Sequence, residues 1–185
     1  ARSIEQSGDS DTTLAALDRL YAKMNDPRAR VDVLDRRISL ASTGPARADL
    51  RYRLASLHLE SFADNEAAIG ALRLALEEVP DHAQSRKTAE SLLTGAAFES
   101  AFGILESAYR ASKENEAIAE LYEGRITRES TARGRLRARH EYARVLETDV
   151  GDRLRSQRAL EAALSDDPSD PETIQEIERL ANVTS

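Results

Sequence analysis

The chain of 185 residues contains no cysteine and no tryptophan. Without cysteine there is no disulfide framework and no thiolate metal site, and the redox compartment stays open. Aromatic residues make up only 4%, so a core has to be packed from Ala, Leu and Ile, as closely stacked helices prefer. Five prolines and eight glycines are too few for a collagenous or disordered chain. No apolar run approaches the roughly 20 residues that span a bilayer. The segment Ala1-Arg2-Ser3-Ile4-Glu5-Gln6 also lacks an apolar signal core, so no direct membrane insertion is expected. The formal charge of −7 argues against nucleic acid as a partner, because counterion release needs a basic surface. Lysine is scarce as well: Lys23, Lys87 and Lys113 are the three, and the remaining positive charge is arginine. With abundant alanine, that bias resembles coding in a GC-rich bacterial genome and favours a soluble, bacterial cytoplasmic protein. The chain does not begin with methionine, as expected for a fragment or a processed form.

What the chain does have is an internal repeat. Displaced by 88 residues without a gap, Leu17 falls on Leu105, Tyr21 on Tyr109, Arg47 on Arg135 and Arg51 on Arg139. The same register places Ala55 on Ala143, Asp64 on Asp152, Ala75-Leu76 on Ala163-Leu164 and Pro80 on Pro168. Apolar residues recur at three- and four-residue spacing between Pro, Gly, Asn and Asp breakers, and alternating strand patterns are missing. About ten helices are expected, in an all-α fold.

The first helix is expected to start at Asp9-Ser10-Asp11, with Leu14, Leu17, Leu20 and Tyr21 inward, and Pro27 to open the second. Ser42-Thr43-Gly44-Pro45 reads as a turn, and a helix from about 46 to 62 follows it. A shorter helix runs from about His82 to Leu93. The last helix, with Ile174, Ile177, Leu180 and Val183 outward, would leave an unfinished apolar end and allow homo-oligomers through it. The domain reading is a polar lead-in at 1–12 and two repeat units at 13–95 and 96–185.

Short amphipathic helices are marginal alone. Each gains roughly 1.5–3 kcal/mol for every large apolar side chain buried against a neighbour. Repeated helical hairpins therefore imply an α-solenoid. The segment Leu54-Ala55, Ala68, Leu72, Ala75, Pro80, with its counterpart Tyr142-Ala143, Ser156, Leu160, Ala163, Pro168, resembles the tetratricopeptide (TPR) repeat. His58 stands at the expected aromatic position, the turn at Phe62-Ala63-Asp64 is about one residue longer than usual, and Arg37 and Arg125 replace a small residue. The resemblance is to divergent bacterial multi-repeat arrays. It implies antiparallel TPR-like hairpins whose first helices line a concave, protein- or peptide-binding face. In that register Arg19, Tyr52, Ser56, Glu60, Arg110, Arg137, His140 and Arg144 face the groove. Where some tetratricopeptide domains clamp a C-terminal carboxylate with Lys and Asn, this chain has Ala15, Tyr52, Gly103 and His140, so that ligand is not expected.

Arg133, Arg135, Arg137 and Arg139 cannot form one stripe, since two residues turn a helix by about 200°. Arg135 and Arg139 repeat Arg47 and Arg51, and Arg125 repeats Arg37. These recurring arginines are read as braces against acids such as Asp64, Asp152, Glu90 or Glu178. Arg137 and Arg144 have no such twins, so a specific role falls more readily on them. Glu77-Glu78 and Asp166-Asp167 read as solvated helix ends. His58, His82 and His140 lie at no metal-ligand spacing, and neither a nucleophile motif nor a phosphate or dinucleotide loop occurs. Metal ligands, cofactors and catalytic residues are therefore not expected. The functional expectation is a non-catalytic interaction scaffold; a structural spacer or a regulatory arm of a larger protein is the alternative.

Overall fold

A computed structural model describes residues 10–184, with side chains to residue 182. The sequence expectations for residues 1–9 and for the Val183 side chain lie outside these. The described residues form ten α-helices and no strand. They are α1 Asp11–Lys23, α2 Pro27–Leu40, α3 Gly44–Leu57, α4 Asn65–Glu78, α5 Ala83–Leu92, α6 Phe98–Ser112, α7 Asn115–Arg128, α8 Ala132–Val145, α9 Arg153–Ala163 and α10 Pro171–Thr184. The fold class is all-α. The chain forms two compact units, Ala1–Ala108 and Tyr109–Ser185, the boundary falling within α6.

In the first unit α1 packs on α2, α2 on α3, α3 on α4 and α4 on α5; in the second α7, α8, α9 and α10 pack in the same successive way. This packing is consistent with a helical solenoid. Ala55, Ala75, Ala143 and Ala163, the recurring small residues, are all within 3% of full burial. Leu34, Leu50 and Leu57 form a core cluster in the first unit, with Val31, Ile38, Ala41 and Leu54 against it. In the second unit Ile118, Leu146, Leu160 and Leu180 are buried.

Four turns join the helical hairpins, and each contains one left-handed residue: Asn25 (φ 54°), Ala63 (φ 52°), Lys113 (φ 58°) and Gly151 (φ 79°). An acid follows each and caps the next helix. Asp26, Asp64 and Asp152 accept from the N–H groups of Ala29, Ala67 and Arg155. Glu114 occupies the fourth cap without a side-chain bond. The turns are of two kinds. Asp26 and Glu114 donate their N–H groups to the carbonyls of Tyr21 and Tyr109, five residues back. Asp64 and Asp152 reach six residues back, to His58 and Leu146. The extra residue is absorbed by π-helical turns at His58–Phe62 and Leu146–Val150, which is the physical form of the lengthened turn seen in the sequence.

Several expectations are corrected. Thr43-Gly44-Pro45 opens α3 and does not merely interrupt the chain. Thr43 Oγ1 accepts from Ala46 N–H (3.4 Å), and Pro45 lies in the first turn, where no N–H is needed. Leu20 is 49% exposed: α1 turns Leu14 and Asp18 inward, and Arg30 Nε holds the Asp18 carboxylate at 3.0 Å. Leu180 is only 1% exposed and Ile177 is half-buried, so of the outward apolar residues expected on α10 only Ile174 is exposed among those described.

Candidate partner-binding surface

The arginines divide into two populations. Arg47 and Arg51 of α3 both bind the Glu78 carboxylate at the end of α4. Arg51 Nη1 donates to it at 2.6 Å and to the Leu74 carbonyl at 2.9 Å. In the second unit Arg135 and Arg139 of α8 donate to the two oxygens of Asp166 at 2.7 and 3.0 Å. Arg37 Nε donates to Asp11 at 2.7 Å, and Arg125 lies 3.6 Å from Glu141. These recurring arginines are braces, as expected. The two carboxylates that each serve a pair of these arginines are Glu78 and Asp166, which were not among the acids expected to do so. Asp64 and Asp152 cap helices instead. Glu78 and Asp166 are therefore not solvated ends. Hydrogen bonding from Arg47 holds the Glu78 carboxyl below its usual pKa. Burial opposes the Asp166 carboxylate, yet Arg135 and Arg139 together hold its pKa low.

The remaining arginines of α8 behave differently. Thr131 Oγ1 caps the helix by accepting from Gly134 N–H (3.0 Å), and Ala138, Ala143 and Val145 point into the core. Arg133, Arg137 and Arg144 are exposed, and their side chains make no ion pair or hydrogen bond among the described residues. At 100° per residue, positions 133, 137, 140 and 144 fall within an arc of about 60°, one stripe along the helix. His140 sits in that stripe but is engaged: its Nε2 lies 2.7 Å from Thr173 Oγ1 and 3.6 Å from Asp170 Oδ2 on the α10 side. The Thr173 hydroxyl and N–H, followed by the nearby His140, keep the Asp170 carboxyl below its ordinary value.

Arg144 separates two hollows of the second unit. One, of about 260 Å³, includes His140, Arg144, Glu147, Glu172, Glu176 and Arg179; the other, of about 240 Å³, includes Arg110, Tyr122, Glu141, Arg144, Thr148 and Asp149. Most of the acids here are answered within the protein. Arg179 binds Glu147 through two nitrogens and also reaches Glu176, and Arg110 Nη1 donates to Asp149 at 2.8 Å. Of the eight residues read from the sequence, Arg110, His140 and Arg144 thus line adjoining hollows, with Arg137 further along the same helix face.

The other four lie in the first unit and are not gathered in this way. Arg19 is exposed on α1, Ser56 is half-buried on α3, and Glu60 is exposed in the π-turn. Tyr52 packs its ring against His82, with centroids 6.0 Å apart. Two hollows of the first unit, of about 580 and 320 Å³, are lined by other residues, among them Asn65, Gly70 and Arg73 in one and Arg37, Asp49 and Arg53 in the other.

Sequence reasoning also missed a Ser–His–Asp arrangement. His82 Nδ1 lies 2.7 Å from Ser85 Oγ and accepts from Ser85 N–H (3.3 Å), so the ring proton sits on Nε2, 3.1 Å from Asp49 Oδ1. Ser85 is 0% exposed, and no substrate carbonyl could reach its hydroxyl. The arrangement is a helix cap: His82 is the N-cap of α5, and its side chain is 10% exposed, not the surface residue expected. In the second unit the equivalent cap is Asp170, bonded to Thr173 N–H at 2.8 Å.

No group of three His, Cys, Asp or Glu side chains able to hold a metal occurs among the described residues, and none of their helices is long and apolar enough to cross a membrane. No family model matches the chain, and no match was found among curated proteins.

Proposed function

We propose that the chain is a non-catalytic scaffold of tetratricopeptide-like hairpins that binds a protein or peptide on the α8 face of its second unit. One observation carries this reading. The arginines shared by both repeats are spent on internal acids, whereas Arg133, Arg137 and Arg144 have no arginine twins and no internal partner. Their counterparts are Pro45, Asp49 and Ser56, so the fold does not require a cation at any of the three places. A face made from packed helices needs little reorganisation on binding, which limits the entropic cost of association.

The test is affinity capture from a lysate of the source organism, with the wild type and an Arg137→Glu, Arg144→Glu variant side by side. A partner held by the wild type and lost by the variant supports the scaffold. Capture of nothing, or only of copies of this chain, favours a spacer within a larger assembly.

A further inference from the structure

We infer that the stripe on α8 reads acidic segments: its partner is a stretch of polypeptide carrying several carboxylates and lying along α8. This inference rests on the scaffold reading and names the chemistry of its partner. Arg133, Arg137 and Arg144 span twelve residues, eleven steps or about 16 Å of helix. No other helix among the described residues carries three exposed cations without partners on one face. A guanidinium presents a planar fork of donors that matches a carboxylate in two parallel bonds, and none of these three is already used.

The surroundings select the direction and the class of the partner. Beside Arg144, Glu141 faces Arg125 and Asp149 is bound by Arg110, while Glu147 and Glu176 share Arg179. Those acids do not compete for Arg144. Glu172 in the α10 hollow has no partner among the described residues, so it repels an acidic segment that strays from α8 towards α10. The segment is thereby confined to a line along α8. A nucleic acid is disfavoured by the same arrangement. Its closely spaced phosphates would meet Glu172, and a chain of net charge −7 offers no broad basic surface for counterion release.

The probes are fluorescein-labelled hexaglutamate, hexalysine and a twelve-residue oligothymidylate, followed by anisotropy on the whole chain at low and physiological salt. Wild type is expected to bind hexaglutamate in preference to the other two, and to weaken as salt rises. The Arg133→Gln, Arg137→Gln, Arg144→Gln variant is expected to bind it at least tenfold more weakly with unchanged helicity. A charge-matched control, Arg53→Gln, Arg73→Gln, Arg158→Gln, removes three exposed arginines elsewhere and is expected to keep the affinity. No binding of hexaglutamate, equal loss in the control, or oligothymidylate binding as tightly would overturn the inference. Lysate capture separates this from failure of the scaffold: a protein partner that survives the α8 glutamine variant sinks the acidic-segment inference and leaves the scaffold standing.

Discussion

Glu78 and Asp166 stand 88 residues apart and perform the same task, each carboxylate shared by two arginines one turn apart on the preceding helix. Asp166 is the more enclosed, its side chain 6% exposed against 22% for Glu78. Asp166→Ala leaves two partly buried guanidinium groups without their acceptor. It is expected to cost about 1.5–3 kcal/mol, the range for hydrogen bonds to charged groups. Glu78→Ala is expected to cost less, because water can replace more of the lost contact. Urea unfolding of both variants measures the difference.

The same carboxylates set the acid limb of stability. Glu78, Glu147, Asp166 and Asp170 all have folded pKa values below their ordinary values of 4.5 or 3.8. A lowered carboxylate pKa stabilises the fold above the unfolded value, and that contribution disappears as pH falls through the folded one. Stability is therefore expected to hold above about pH 5 and to decline below about pH 4. Asp35, pushed up by burial and by Asp32, acts in the opposite sense. Asp166→Asn should flatten the decline followed by circular dichroism; an unchanged acid limb would remove Asp166 from this role.

The left-handed turn residues make a reciprocal pair. Ala63 holds φ 52° and Gly151 holds φ 79° at matching positions. Nothing lies within 4 Å of a Cβ placed on Gly151, so strain there comes from the backbone alone. Ala63→Gly is expected to stabilise the chain, and Gly151→Ala to destabilise it, each by about 1 kcal/mol. Thermal unfolding of the two variants checks the opposite signs.

Ser156 is 1% exposed, and its hydroxyl donates to the Ala143 carbonyl of α8 at 2.8 Å. Its counterpart is the buried Ala68, so alanine fits this kind of site. Ser156→Ala is expected to lose about 0.5–1.5 kcal/mol without loss of helicity. A variant as stable as wild type in urea would show the bond to contribute nothing.

The all-α class and the bracing role of the recurring arginines were legible, because both follow from periodicity. The acceptors were not. A pair such as Asp166-Asp167 beside Pro168 has the composition of a wetted helix end, and only the antiparallel pairing of α8 with α9 brings Asp166 under two arginines. Apolar spacing likewise names a stripe but not how far it extends: Leu20 falls outside it, and Leu180 is covered. The candidate surface was half legible. Absence of a twin marked Arg137 and Arg144, and the same mark on Arg133, whose counterpart is Pro45, was missed. Tyr52 was expected on the groove, and its contact with the His82 cap of α5 had no signal in the sequence. His82 and Ser85, separated from Asp49 by more than thirty residues, gave no local signal.

Short and long turns alternate along the chain: α1–α2 and α6–α7 close five residues back, α3–α4 and α8–α9 six. One hairpin is thus no template for its neighbour, and the unit that recurs at 88 residues is two unlike hairpins together with a further helix. Growth by gene duplication, or lengthening by design, has to proceed in that whole block. A single hairpin inserted alone would put two turns of the same kind in succession.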